Sequence, residues 1–293
     1  MIEAFAARSG SPSAEAWRRL RRNPVAVASG TLIVLLVLLA LLAPLVAPYA
    51  YDAEDRDSAL SGPTARHPLG TDNLGHDVLS RVLYGARVSL AVGLLVEAIE
   101  VLIGVSLGLL AAYKGGVWDT ILMRVTDAMF AFPDLLFAIL LVGILRPESA
   151  AASFLTVFVA LALANWPSMA RLVRGQALAV REKEFVEAAR AIGVSDRGIV
   201  LRHILPSMLG PIIVAATVDI ANVMLAEATL SFLGIGIQPP YPSWGRMIND
   251  ALPYLRSAPA LLFYPAAMLG LVVLSFNFLG DALRDAVDPR LRR

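Results

Sequence analysis

The chain has 293 residues, 57% of them hydrophobic and only 17% charged, with 25 Lys+Arg against 24 Asp+Glu and no cysteine. A soluble domain carries roughly a quarter charged residues, so too few are present to coat a water-facing surface. A net charge of +1 leaves no electrostatic footprint for nucleic acid, and the absence of Cys excludes disulfides, thiolate metal sites, iron–sulfur clusters and cysteine nucleophiles.

In chain order, residues 1–23 read as a tail made basic by Arg18, Arg19, Arg21 and Arg22. No charge occurs from Pro24 to Ala50, which predicts a first span over 24–48; crossing ~30 Å of hydrocarbon takes about 20 helical residues. The run is longer than a secretory h-region of about 7–15 residues. It continues into Pro44, Leu45, Val46 and Pro48, so it reads as a retained anchor.

An outer loop, 49–87, follows. His67 and His76, with Asp72 and Asp77, fit no recognised metal-ligand spacing, and they are expected to pack and hydrogen-bond the loop against the helix ends. The second span, 88–112, carries Glu97 and Glu100 three residues apart, hence on one face and turned from lipid. A charge at the bilayer centre costs at least ~2.5 kcal/mol on insertion scales, so such acids are functional candidates by default. One reading has them facing the pathway and meeting a peptide's ammonium group. The other, which is the expectation, places them beside a water-filled crevice or bonded to Arg or backbone of a partner.

The third span, 126–145, contains Phe132-Pro133 flanked by Asp127 and Asp134, a kink expected near the cytoplasmic gate with structural and gating roles both open. The fourth, 150–171, is free of acids. In the fifth, 208–236, Asp219, Asn222 and Glu227 are expected to share about one quadrant facing a subunit interface or the pathway. Pro239, Pro240, Pro242 and Trp244 stiffen the next outer loop; docking a binding protein there is one role, and a Trp244 anchored at the headgroups is the simpler account. A sixth span, 259–280, leads to a tail, 281–293. The fold class is therefore all-α, a polytopic membrane protein of six transmembrane helices, because backbone groups in lipid must be satisfied internally and no barrel-like alternation is present.

Lys and Arg number 18 in alternate segments (the N-terminal tail, the neighbourhood of Lys114 and Arg124, Arg171–Arg202, and the C-terminal tail) and 7 in the others. The positive-inside rule then puts both termini and the Arg171–Arg202 segment in the cytoplasm.

Within that segment, Glu182 to Ile192 is a strong helix former and Gly193 supplies a left-handed stop. Ser195 is a good N-cap for a second short helix, which Pro206 is expected to interrupt where the fifth span begins. Ala188, Ala189 and Ala191 leave a low-relief surface that another protein can approach closely. By periodicity alone this is equally an ordinary amphipathic loop.

The order of residues is more specific. Glu187-Ala188-Ala189, then Gly193, then Ile204-Leu205-Pro206 resembles the EAA loop (182–206) of ABC importer permeases at every defining position. His67-Pro-Leu-Gly-Thr-Asp72, Asp77-Val-Leu-Ser-Arg81, Tyr84-Gly-Ala-Arg87, Leu225–Gly234, Gln238–Gly245 and Leu279–Pro289 look like the C-type subunit of dipeptide/oligopeptide/nickel permeases, from about Arg21 to Arg290. One departure is His76, where the family usually has Arg.

The resemblance implies a type I ABC importer fold in a bacterial or archaeal inner membrane. It implies a second, B-type permease subunit, two cytoplasmic ATPases, and an extracytoplasmic substrate-binding protein. The short helix around Gly193 would be the coupling helix, with Glu187 and Gly193 contacting an ATPase. ATP and Mg2+ would sit on the ATPases and no cofactor on this chain. Its only lysines, Lys114 and Lys183, do not follow a glycine, so the phosphate-cradling G-x-x-x-x-G-K-[ST] loop is absent. The cargo expected is a di- or oligopeptide, with nickel or another small solute as the alternative. From a different class stands an ion-coupled secondary transporter relaying protons through Glu97, Glu100, Asp219 and Glu227.

Overall fold

The computed structural model describes residues 12–288. Helix α1 (Pro12–Arg22) is separated from α2 (Pro24–Leu41) by Asn23, whose Oδ1 accepts from the Val25 and Ala26 amides at 3.0 and 3.3 Å. Pro24 opens α2 in its first turn, where a missing N–H has no helical partner to lose. After a turn at Leu42, α3 (Ala43–Val46) ends the first apolar run.

Helix α4 (Val78–Lys114) starts ahead of residue 88, where the second span was expected. Asp77 is the reason: its Oδ2 accepts from the Ser80 amide at 2.8 Å and so caps a helix that begins within residues 49–87, expected as loop. The most extensive helix–helix contact in the fold joins α4 to α7 (Ala150–Arg181). It is made by Gly104 and Gly108. A Cβ on Gly104 would lie 2.6 Å from Met169 Cβ, and one on Gly108 2.6 Å from the Ala170 carbonyl oxygen. Only glycine lets the two backbones meet this closely, the small-xxx-small pattern of membrane helix pairs.

Between α4 and α7 the chain forms α5 (Gly116–Phe130) and α6 (Asp134–Leu145), bent by 86° across Ala131–Pro133. The expected kink at Phe132-Pro133 is thus a full break. Arg174 grips Asp119 through Nε and Nη2 at 2.5 and 2.6 Å, and Arg171 donates to Asp127 at 2.7 Å, so α5 is clipped to α7.

Helix α8 (Glu184–Ala191), α9 (Asp196–Ile199), a five-residue π-helical turn (Val200–Ile204) and α10 (Leu205–Phe232) follow. Pro206 does not interrupt the second short helix, as the sequence suggested. It occupies the first turn of α10, where its lack of an N–H is tolerated, and the widened turn before it carries α9 into α10. Helix α11 (Trp244–Ala251) lies in the loop between α10 and α12 (Ala260–Val287), which closes the bundle.

Five helical stretches among the described residues are long and apolar enough to cross a membrane, and the bent α5–α6 pair makes a sixth if it counts as one span. The core divides into three apolar clusters. One joins α2, α4, α10, α11 and α12, one joins α4, α6, α7 and α10, and one gathers the α4 and α7 ends and the start of α10 around α8 and α9.

Candidate functional site

The α8–α9 unit is built by local chemistry. Gly193 has φ +82°, and the turn is closed by Gly193 N–H to the Arg190 carbonyl and Val194 N–H to the Ala189 carbonyl, both at 3.1 Å. That pair of bonds is the Schellman arrangement, satisfying the last carbonyls of α8. Ser195 Oγ then accepts from the Gly198 amide at 3.3 Å to start α9, as its N-cap chemistry predicted.

Packing fixes this unit to the bundle. Val186, Ala189, Ile199 and Ile204 are buried against Leu109, Ala112, Met169 and Val180. Two polar tethers reinforce the seat: Tyr113 Oη donates to Asp196 Oδ1 at 2.6 Å, and Arg181 Nη1 to the Ala112 carbonyl at 2.8 Å. Neither Tyr113 nor Arg181 was singled out from sequence, because each acts across a distance in the chain that only the fold closes.

On the opposite side the unit is bare. Glu187, Ala188, Gly193 and Pro206 are exposed, Leu205 is half-buried, and Ala189 and Ile204 belong to the inner face. Ile192 is 82% exposed and Leu201 60%. These two side chains put apolar area beside the glycine turn on the face away from the bundle.

The acids of the spans separate into two groups. Glu97 and Glu100 of α4 are 3% and 2% exposed, and both Glu97 oxygens and Oε1 of Glu100 have no hydrogen-bond partner. Asp219 of α10 is their charged neighbour, Asn165 of α7 adjoins Glu100, and Asn222 donates to Asp219 at 3.2 Å.

Glu227 is not part of that stripe. Five residues turn a helix by about 140° relative to Asn222, which puts Glu227 beyond a shared quadrant. It is fully buried, accepts from Ser231 Oγ at 2.7 Å and lies 3.5 Å from Ser89 Oγ. Ser89 in turn accepts from the Trp244 amide, and Ser231 from the Ile237 amide, both at 3.2 Å. Glu227 therefore knots α4, α10 and the loop between α10 and α12 together; the serines Ser89, Ser231 and Ser243, the last bonded to Ser231, give no signal in sequence.

Trp244 also departs from expectation. It is fully buried, with Nε1 donating to the Val82 carbonyl at 3.1 Å, and so is a bundle residue rather than a headgroup anchor. Its indole found a backbone carbonyl on α4, which removes any need for the wet interface.

The histidines of the loop before α4 pack and hydrogen-bond as expected. His67 Nδ1 pairs with Asp77 at 3.0 Å, His76 Nδ1 with Asp72 at 2.9 Å, and Arg81 donates to Asp72 at 2.6 Å. Burial pushes the Asp72 carboxyl upward, but the His76 hydrogen bond, the Arg81 charge and the Leu74 amide together hold it below its usual range. Among the described residues no group of three or more His, Asp or Glu is arranged to hold a metal ion.

A family model described as binding-protein-dependent transport system inner membrane component matches residues 104–293. The chain belongs to that family. A second model, the N-terminal transmembrane domain of oligopeptide transport permease C, matches residues 11–63 of this permease. The glutathione transport system permease protein GsiD of Pectobacterium atrosepticum is 43% identical over 285 residues, covering 96% of this chain and 92% of the relative. GsiD of Escherichia coli O6:K15:H31 is 44% identical over the same length and coverage. The dipeptide transport system permease protein DppC of Alkalihalophilus pseudofirmus is 41% identical over 282 residues, covering 96% and 91%.

Among solved structures, an inward-facing MetNI methionine ABC transporter aligns with a TM-score of 0.59 at 20% identity, covering 72% of this chain and 97% of that one. At that identity the likeness shows the shared type I importer permease fold. This permease is thus a multi-pass, non-catalytic membrane subunit of an ABC importer, a class that works with ATPase and substrate-binding partners.

Proposed function

We propose that this subunit pairs with a B-type permease and two cytoplasmic ATPases in the inner membrane, and imports di- or oligopeptides delivered by an extracytoplasmic binding protein. Both termini and the segment 182–206 lie in the cytoplasm, as the distribution of Lys and Arg supports. The segments taken to cross the bilayer are 24–48, 88–112, 126–145, 150–171, 208–236 and 259–280, with tails 1–23 and 281–293; the long apolar helices support this reading.

The observation that carries the mechanism is the α8–α9 unit: seated on the ends of α4 and α7 by buried Val186, Ala189 and Ile199, yet bare at Ile192 and Gly193. It is shaped to transmit force, since a load applied at Gly193 passes through Ala189 and Ile204 into α4, α7 and α10 without crossing a flexible joint. Glu187, Ala188 and Gly193 meet the ATPase; Ile204, Leu205 and Pro206 join the unit to α10. ATPase closure draws the two coupling loops of the permease pair together and turns the helices between inward- and outward-facing states.

Cargo is supported by relatives whose names specify glutathione and dipeptide transport. The test is uptake of a labelled dipeptide into proteoliposomes holding both permeases and the ATPases, with binding protein on the side opposite ATP. Uptake requiring ATP and every subunit is expected. Transport by this chain alone, driven by a proton gradient, would overturn the proposal.

A further inference from the structure

Helix α1 is the most basic element of the fold, with Arg18, Arg19, Arg21 and Arg22 against the single acid Glu15, which pairs with Arg18 at 4.0 Å. Arg19 and Arg22 have no carboxylate partner among the described residues, and Arg21 stacks over the Trp17 ring at 5.6 Å. Trp17 itself is 58% exposed.

Beside α1 lies a cavity of about 450 Å³ whose wall comes from three elements: Glu15, Trp17, Arg19 and Leu20 of α1, Leu209 and Ile213 of α10, and Leu283 of α12. The lining is apolar except at the α1 rim. Its height in the membrane follows from connectivity. The cavity touches the segment just before α2 enters the bilayer, the first turns of α10 and the last turns of α12, which all meet at one end of the bundle. That end is headgroup level, where an amphipathic helix with Arg and Trp lies in the plane of the membrane.

The geometry points to an anionic phospholipid as the occupant, its acyl chain along Leu209, Ile213 and Leu283 and its phosphate at the α1 rim, on Arg19 of the wall and on Arg22 one turn further along the helix, where the four arginines of α1 outweigh Glu15. Charge and shape require both halves. Unpaired guanidiniums beside a bilayer select anionic over zwitterionic headgroups and match phosphate geometry. The apolar trough would hold nothing that is only an ion. Pro206 also borders the cavity, so the lipid abuts the junction of the α8–α9 unit with α10.

The test uses the assembled transporter in detergent with an equimolar mixture of phosphatidylglycerol and phosphatidylcholine, read by native mass spectrometry of the lipid retained on this subunit. Wild type is expected to hold phosphatidylglycerol in preference. Arg19→Gln with Arg22→Gln should cut that preference by roughly tenfold or more, the paired Lys substitutions should restore most of it, and Leu209→Trp, which fills the trough, should release lipid of both kinds. Equal retention of the two lipids, or a preference untouched by the Gln pair, would overturn the proposal. Displacement by inorganic phosphate would mark a free-anion site instead. Release of the lipid when the ATPases bind would give the groove to protein.

Discussion

Replacing Gly193 separates the turn's geometry from its contacts. The residue sits at φ +82° and nothing lies within 4 Å of where a Cβ would be, so a side chain there strains only the backbone. Holding an ordinary L-residue left-handed costs roughly 1–2 kcal/mol, and Asn escapes most of it. If docking to an ATPase needs this turn, Gly193→Ala should weaken the affinity by about 5–30-fold, the factor that such a cost represents. Gly193→Val should weaken it further, and Gly193→Asn far less. The buried anchors Val186, Ala189 and Ile199 are untouched, so the melting temperature of the permease should barely move. The assay is titration of the ATPases onto the permease pair in nanodiscs, with thermal unfolding run in parallel. Alanine binding as well as wild type, or asparagine failing as badly as valine, would refute the reasoning.

Tyr113→Phe removes the 2.6 Å bond to Asp196 and should lower transport-coupled ATP hydrolysis two- to tenfold, the range of about 0.5–1.5 kcal/mol for one hydrogen bond, with no change in basal hydrolysis. Gly108→Leu pushes a side chain into the Ala170 carbonyl and Val173, and should destabilise the subunit by about 1–3 kcal/mol or more, seen as a lower melting temperature. Glu97→Gln with Glu100→Gln replaces two buried carboxyls, three of whose four oxygens have no hydrogen-bond partner, by amides of the same shape, so the melting temperature should stay at or above wild type and cargo choice should not change; altered preference for peptides with a free amino terminus would show that these acids reach cargo. The Asp72 carboxyl lies below its unfolded value, so its stabilisation is present above about pH 4 and lost as pH falls through the lower, folded value. Acid should therefore loosen the outer loop in wild type, as followed by hydrogen exchange at Asn73–Asp77, and Asp72→Asn should abolish that dependence.

Features set by local rules were readable in advance. The charge-free runs gave α2, α7 and α12, Gly193 and Ser195 gave the α8–α9 turn, and Pro133 gave the break between α5 and α6. What escaped depends on distant partners. Trp244 has the composition of a headgroup anchor, and only the approach of Val82 makes it a core residue. Glu227 looks like another intramembrane acid until Ser89, Ser231 and the outer loop arrive around it. Pro206 signals a stop, but the π-helical turn that spares the helix has no mark in the sequence. The Gly104–Gly108 contact has a recognisable spacing, yet which helix it receives is decided by topology.

The elbow between α5 and α6 has a mechanical corollary. Its first arm is riveted to α7 by Arg174–Asp119 and Arg171–Asp127, and its second lies along the same helix. A corner braced on both sides to one beam acts as a gusset. Tilting α5 or α6 away from α7 would break these contacts, so the bracing favours movement of the three helices together.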